Sequence, residues 1–260
     1  MPQKRKKRRR RRGGLGRLLR PLSVVLAAVA VVAALTMFFK VDQVEVAGNS
    51  RYRTEDVIAA TGVEQGDNLI LLDRYGISQK LCRELPYIND VRINPKFPDT
   101  LLVEVTEAHA SASIQGAGGW WLIDAGGEPG IKLLELVEES AAQDYLQITG
   151  LEAVEPAVSR TLALSEESPI TWERLSALLT AIEERGMSAR ADNLDLSDPD
   201  TLVLNYDGRF RVQLFYDADF DYEFQRLKKV VEEVLEPNER GTIRMDMKND
   251  GDVHFIPEGQ

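Results

Sequence analysis

Four acids at alternate positions, Asp217, Asp219, Asp221 and Glu223, carry the oxygen-rich spacing with which a calcium loop surrounds its ion. That loop also needs Gly at its sixth place for a sharp turn and Glu at its twelfth for bidentate ligation. Tyr222 and Lys228 stand there instead, so the acids read as the first turn of a helix, where negative charge is favoured. A loop begun at Asp246 brings Gly251 to the sixth place but Lys248 to the third and Pro257 to the twelfth. Gly116-Ala117-Gly118-Gly119 lacks the last Gly of a dinucleotide fingerprint and runs into Trp120-Trp121 rather than a helix.

Nucleophiles and bases are equally sparse. His109 ends a strand and His254 lies on the last one, each without a partner motif. Cys82, next to Leu81 on a helix, reads as a small buried hydrophobe. No H-E-x-x-H, G-x-S-x-G, S-x-x-K or K-T-G occurs. The 42 acids are spread so widely that no pair stands out for glycoside hydrolysis, and one cysteine excludes an intrachain disulfide framework. The expectation is no catalytic residue, metal, cofactor or small-molecule substrate, and a chemistry of recognition.

Charge divides the 260 residues sharply. Residues 1–20 hold 11 Lys or Arg and no acid, leaving 21 basic residues against 42 acidic ones elsewhere, so the net charge of -10 averages two compartments. Between them, residues 22–39 run for 18 positions without a charge, interrupted only by Ser23 and Thr36. At about 1.5 Å per residue, a helix of that length nearly matches a hydrocarbon core of about 30 Å. A membrane anchor is expected over 21–40, with Leu22 and Phe39 at its ends. Ala28-Val29-Ala30 resembles a signal-peptidase site, but cleavage there would leave an apolar new N-terminus, and the basic region is long for a signal peptide. The nine consecutive basic residues 4–12 are expected to be disordered by self-repulsion and held on the cytoplasmic face against anionic lipid. They require no nucleic acid, and everything after residue 40 lies outside. A composition 28% charged and 43% hydrophobic is that of a folded protein, which excludes collagen, mucin and wholly disordered chains.

Beyond the span, residues 41–46 alternate with Val44 and Val46 on one face, the period of a half-buried strand. Thr54 before Glu55-Asp56 predicts a capped helix that Gly62 stops. Asp73 predicts a second cap, for a helix carrying Ile77, Leu81 and Leu85 and closed by Pro86. Strands are expected around 89–95 and 100–106, the second alternating Leu101, Val103 and Val105 against Leu102, Glu104 and Thr106. The order is β-α-α-β-β.

The marks in this stretch, in order, are Val44-x-Val46-x-Gly48-Asn49, Gly66-x-Asn68-Leu69 with Asp73, Leu85-Pro86, Pro98-x-Thr100-Leu101, and Val103-x-Val105-x-Glu107. They resemble the POTRA module of the FtsQ/DivIB family of bacterial cell-division proteins, departing from it at Ala108-His109-Ala110, where the family commonly has Arg and Pro. Trp120 to Gly127 and Ile148-Thr149-Gly150-Leu151 resemble landmarks of the family's second, β-rich domain. There, Ser168-Pro169 predicts a helix with Trp172, Leu175, Leu178, Leu179 and Ile182 on one face, ending at Gly186. Strands at 202–206 and 210–215 are joined across Asp207-Gly208. A last helix carries Phe224, Leu227, Val231, Val234 and Leu235, and strands follow at 242–247 and 252–256. The fold class expected is α+β: a basic tail (1–20), a transmembrane helix (21–40), a POTRA domain (41–110), a β-rich domain (111–257) and a short tail (258–260).

The resemblance implies a non-enzymatic scaffold at the division septum. It would bind small coiled-coil division proteins of the FtsB/DivIC and FtsL type and couple septum formation to peptidoglycan synthesis. Matched residue by residue, the partner-binding positions it implies are Arg244, Asp246, Lys248, Asn249 and Phe255. The first four would supply edge backbone and rim polarity, and Phe255 an apolar anchor; the family often has an aromatic where Asn249 stands. Exposed sheet edges accept a further strand through backbone hydrogen bonds. Three other readings stay open: a membrane-anchored POTRA-type export or assembly chaperone, a membrane-anchored cell-wall enzyme, and an anchor reading DNA or lipid through residues 4–12.

Overall fold

The computed structural model describes residues 15–127, 130–245 and 253–258, with the side chains of 15–20, 34 and 36 excepted. The apolar run folds as helix α1, Leu15–Phe38, and its large side chains from Leu22 to Phe38 are exposed. Among the described residues no helix is long and apolar enough to cross a membrane, so the span rests on the sequence alone. The basic run 4–12 lies outside the described residues. Phe39, expected at the far end of the anchor, lies beyond α1 and packs edge-on against Phe97 at 4.9 Å, against the next module's core. Its ring finds a protein surface because Leu69 N–H bonds to the Phe39 carbonyl.

The β-α-α-β-β order follows as β1 Gln43–Ala47, α2 Thr54–Thr61, α3 Arg74–Glu84, β2 Ile88–Lys96 and β3 Thr100–Glu107. Strand β3 is central, parallel to β1 and antiparallel to β2. Leu101, Val103 and Val105 turn inward against Val57 of α2 and Leu81 of α3. Asp73 caps α3 by accepting from Gly76 N–H, and Gly62 ends α2 at φ 70°. Thr54 is not the cap of α2. Arg53 holds that position, and the Thr54 hydroxyl instead receives Asn49 Nδ2–H at 3.3 Å.

The second part contains β4 Ala112–Gly116, β5 Gly119–Asp124, β6 Lys132–Val137, α4 Glu139–Ala142, β7 Leu146–Ala153, α5 Trp172–Glu184, β8 Ala191–Asp195, β9 Thr201–Tyr206, β10 Phe210–Phe215, α6 Phe220–Lys229, β11 Gly241–Met245 and β12 Val253–Pro257. All its strands join one nine-stranded sheet in the order β12-β11-β10-β9-β8-β7-β4-β5-β6. Strands β4, β6 and β8 have no signal in the sequence reading. The pairs β4–β7, β7–β8 and β10–β11 are parallel, which needs long crossovers, and α5 and α6 supply two of them.

Three further expectations are corrected. Helix α5 begins at Thr171, whose hydroxyl accepts from Arg174 N–H, not at Ser168-Pro169; Ser168 Oγ is used instead on the Ile170 carbonyl. Trp172 lies off the core with 39% of its surface exposed, because the inward stripe is Leu175, Leu178, Leu179 and Ile182. After Lys229 the last helix widens into a π-turn at Val230–Val234, which rotates Val234 out to solvent while Val231 stays buried. The Gly116–Gly119 segment is a hairpin turn between β4 and β5, with Gly118 at φ 88°.

Candidate functional site

Strands β6 and β12 end the large sheet, and among the described residues only one of them is open. Against β6, residues 159–162 lay a strap: Leu133 N–H bonds to the Arg160 carbonyl at 2.8 Å, Ser159 N–H to the Leu133 carbonyl at 2.9 Å, and Leu162 N–H to the Ile131 carbonyl at 2.7 Å. Strand β12 has β11 on one side and, among the described residues, no strand on the other.

The register decides which groups of β12 face outward. It pairs Thr242 with Ile256 and Arg244 with His254, and Glu258 N–H bonds to the Arg240 carbonyl at 2.8 Å. Antiparallel ladders alternate bonded and non-bonded pairs, so His254 and Ile256 spend their backbone groups on β11. Val253 and Phe255 turn theirs outward. Pro257, with no donor to offer, closes the open edge at one end, a position sheets tolerate. Side chains alternate likewise: Val253 and Phe255 pack toward the core, while His254 and Ile256 are exposed.

Neighbouring elements hold this edge in place. Asp207 and Gly208 both have positive φ, 61° and 59°, the type I′ geometry of the β9–β10 turn. Asp207 accepts from Arg190 and Arg209, whose Nε atoms lie at 2.8 Å. Arg209 Nη1 then donates to the Pro237 carbonyl at 2.9 Å, and the Arg209 carbonyl accepts Gly241 N–H, so the turn positions the start of β11. The Arg190 guanidinium, seconded by Arg209, holds the Asp207 carboxyl down to about 2. A carboxyl so depressed stabilises the fold above its unfolded range and loses that contribution as pH falls toward 2. Asp207→Asn, which tolerates the same backbone conformation, should therefore cost about 1–2 kcal/mol at neutral pH. The difference from the parent, read by urea denaturation, should narrow steadily on acidification.

Of the implied partner residues, Arg244 is exposed on β11, but that strand lies between β10 and β12 and the Arg244 backbone faces His254, so it supplies side-chain polarity and not an edge. Phe255 lies on the edge strand with its ring turned inward, 6.2 Å from Phe210 and edge-on to it. Asp246, Lys248 and Asn249 lie outside the described residues. The outward side chains are His254, as its place on the last strand implies, and Ile256, which strict alternation from the half-buried Phe255 also names. Asp219 caps α6 through Tyr222 N–H, Asp221 pairs with Arg185, and Glu223 is buried against Arg226. Cys82 is half-buried, and burial pushes its thiol up, away from the thiolate a nucleophile needs.

Residues 39–108 match the POTRA domain, FtsQ-type. A cell division protein FtsQ of Corynebacterium glutamicum is 33% identical over 105 residues, 40% of this chain and 47% of its own. One from Syntrophotalea carbinolica is 24% identical over 196 residues, 74% of this chain and 65% of its own. A cell division protein DivIB of Clostridium acetobutylicum is 23% identical over 163 residues, 63% and 60% of the two chains. The chain thus spans about half to two thirds of the length of these relatives.

Proposed function

We propose, from the premise that this chain belongs to the FtsQ/DivIB family of cell-division proteins, that it is a non-enzymatic scaffold of the division machinery. In this reading residues 21–40 anchor it in the membrane, 1–20 stay cytoplasmic, and a POTRA domain (41–110) and a β-rich domain (111–257) stand outside at the septum. The uncharged run of 18 residues behind 11 basic ones supports the anchor and its orientation. Its partners are small bitopic proteins of the FtsB/DivIC and FtsL type, one of which adds a strand to β12, beside Arg244, Asp246, Lys248, Asn249 and Phe255. The single observation that carries this reading is the contrast between the two terminal strands among the described residues, β6 strapped and β12 with no partner for the outward backbone of Val253 and Phe255.

A photo-crosslinking amino acid in place of Ile256 tests it in cells making the full chain, with Glu183 on the exposed face of α5 as control. The adduct at 256 should contain a small single-span protein and be at least tenfold stronger than at 183. Equal or absent crosslinking at 256 rejects strand addition at this edge.

A further inference from the structure

The strapped end of the sheet holds a feature the scaffold reading leaves unused. A cleft of about 500 Å³ opens between α3 of the first module and Val158 with the strap 159–162 of the second. Its walls carry three cations, Arg83 on α3, Lys132 at the start of β6 and Arg160 on the strap, with Gln79, Asn89 and Thr161 among the polar remainder. No carboxylate lines it among the described residues, although residues 21–260 carry twice as many acids as bases. Surface charge spread at random over this protein would put acids into such a cleft before cations.

Lys132 is the informative member. Its side chain is only 9% exposed, and its Nζ donates to the Ile88 carbonyl at 2.5 Å and the Cys82 carbonyl at 3.3 Å. Two carbonyls leave one N–H, and no carboxylate oxygen lies within salt-bridge distance among the described residues. A desolvated ammonium is costly unless closely paired; Asp124, its register partner on β5, compensates only in part, and burial pushes this lysine down from its ordinary range. Apolar side chains of similar volume would be cheaper if the position served packing alone. On the facing strap, the Ser159 hydroxyl is buried with no hydrogen-bond partner among the described residues. Its backbone, at φ 62°, is in the left-handed region that non-glycine residues rarely adopt.

We infer that this cleft is a binding site for an oxyanion, a phosphate or a carboxylate, that docks between the two modules. Lys132 supplies the buried charge at its floor, Arg83 and Arg160 close on the ligand from opposite modules, and the Ser159 hydroxyl donates from the strap. Planar guanidinium groups suit either oxyanion, through paired N–H donors. Because α3 belongs to one module and β6 with its strap to the other, an occupant ties the two together. The site lies at the opposite end of the sheet from β12 and is independent of strand addition there.

Isothermal titration calorimetry of the full chain in neutral-headgroup detergent, at constant ionic strength, tests this with inorganic phosphate in one arm and malonate in the other. Saturable binding is expected in at least one arm; phosphate alone assigns a tetrahedral ligand and malonate alone a carboxylate. Arg83→Gln and Arg160→Gln, both at exposed positions that the fold does not need, should each raise Kd at least fivefold. Lys132→Met should raise it further. Arg211→Gln, outside the cleft, should leave it unchanged, and the basic tail's attraction for anions is common to every variant. No saturable binding in either arm, or parental Kd values in both cleft arginine variants, overturns the assignment.

Discussion

Replacing Gly241 by Ala should detach the edge strand while the rest of the sheet stays folded. Gly241 opens β11 at φ 157°, and a Cβ there would lie 2.1 Å from the Ile256 carbonyl oxygen and 3.0 Å from the Pro257 Cα. Both obstacles are backbone of β12, so no side-chain rotation relieves the clash. Strain of this kind costs about 1–3 kcal/mol, and each ladder bond lost adds about 1 kcal/mol. Separating β11 from β12 at Thr242–Ile256 is the relaxation that leaves the core least disturbed. The core beneath, built on Ile243, Val212 and Phe224, should survive, because β10 still pairs with β11 through Val212–Ile243. Partner capture from membranes should fall at least thirtyfold, about 2 kcal/mol. The intrinsic fluorescence of Trp120, Trp121 and Trp172, all in the second part, should stay native. Undiminished capture with β12 shown to be displaced, by faster hydrogen exchange at Ile256, would exclude this edge as the partner's template.

Arg226→Ala should destabilise the protein strongly, and in a pH-dependent way. Glu223 is fully buried on the inner side of that helix, and both its oxygens rest on Arg226 Nη1, at 3.2 and 3.1 Å. Removing one partner of a buried pair leaves an uncompensated charge, at a cost of about 3–5 kcal/mol. Glu223→Gln removes the charge itself and should cost far less. Burial already raises the Glu223 carboxyl above its ordinary range, and Arg226 partly offsets that rise. A raised carboxyl binds its proton more readily in the folded chain than in the unfolded one, so stability falls as pH rises between the two values. Without Arg226 that window extends upward. The deficit of Arg226→Ala should therefore be largest at neutral pH and shrink as pH falls through the carboxylate range. Urea denaturation followed by tryptophan emission measures this; a deficit independent of pH would show that packing, not charge, is what Arg226 supplies.

Local order was legible where one residue type leaves the chain little choice. Asp207-Gly208 announces a type I′ turn because few other residues accept positive φ twice in succession, and the Leu101-Val103-Val105 alternation names an inward face whatever the strand pairs with. Strand β8 was illegible, since Ala191–Asp195 is polar enough to read as loop and becomes a strand only by lying between β7 and β9. The start of α5 was misread for a related reason. Ser168-Pro169 and Thr171 are both competent caps, and Ile170, buried at 4% exposure, needs the extra residues to reach the core before the helix begins. The candidate edge was half legible: Phe255 was found on its strand, but whether Arg244 or Val253 offers a free backbone depends on strand order.

By itself the sequence determined the two charge compartments, the uncharged run between them, the β-α-α-β-β grammar of the first module and the family it points to. These are properties of composition and short-range period, and they hold however the modules pack. Only the tertiary structure decided that β6 is strapped and β12 open, that Arg244 lies inside the sheet's ladder, and that Lys132 is buried opposite Arg83 and Arg160. Each of those facts depends on which distant segments become neighbours, and the parallel pairings β4–β7, β7–β8 and β10–β11 join strands that no local pattern relates.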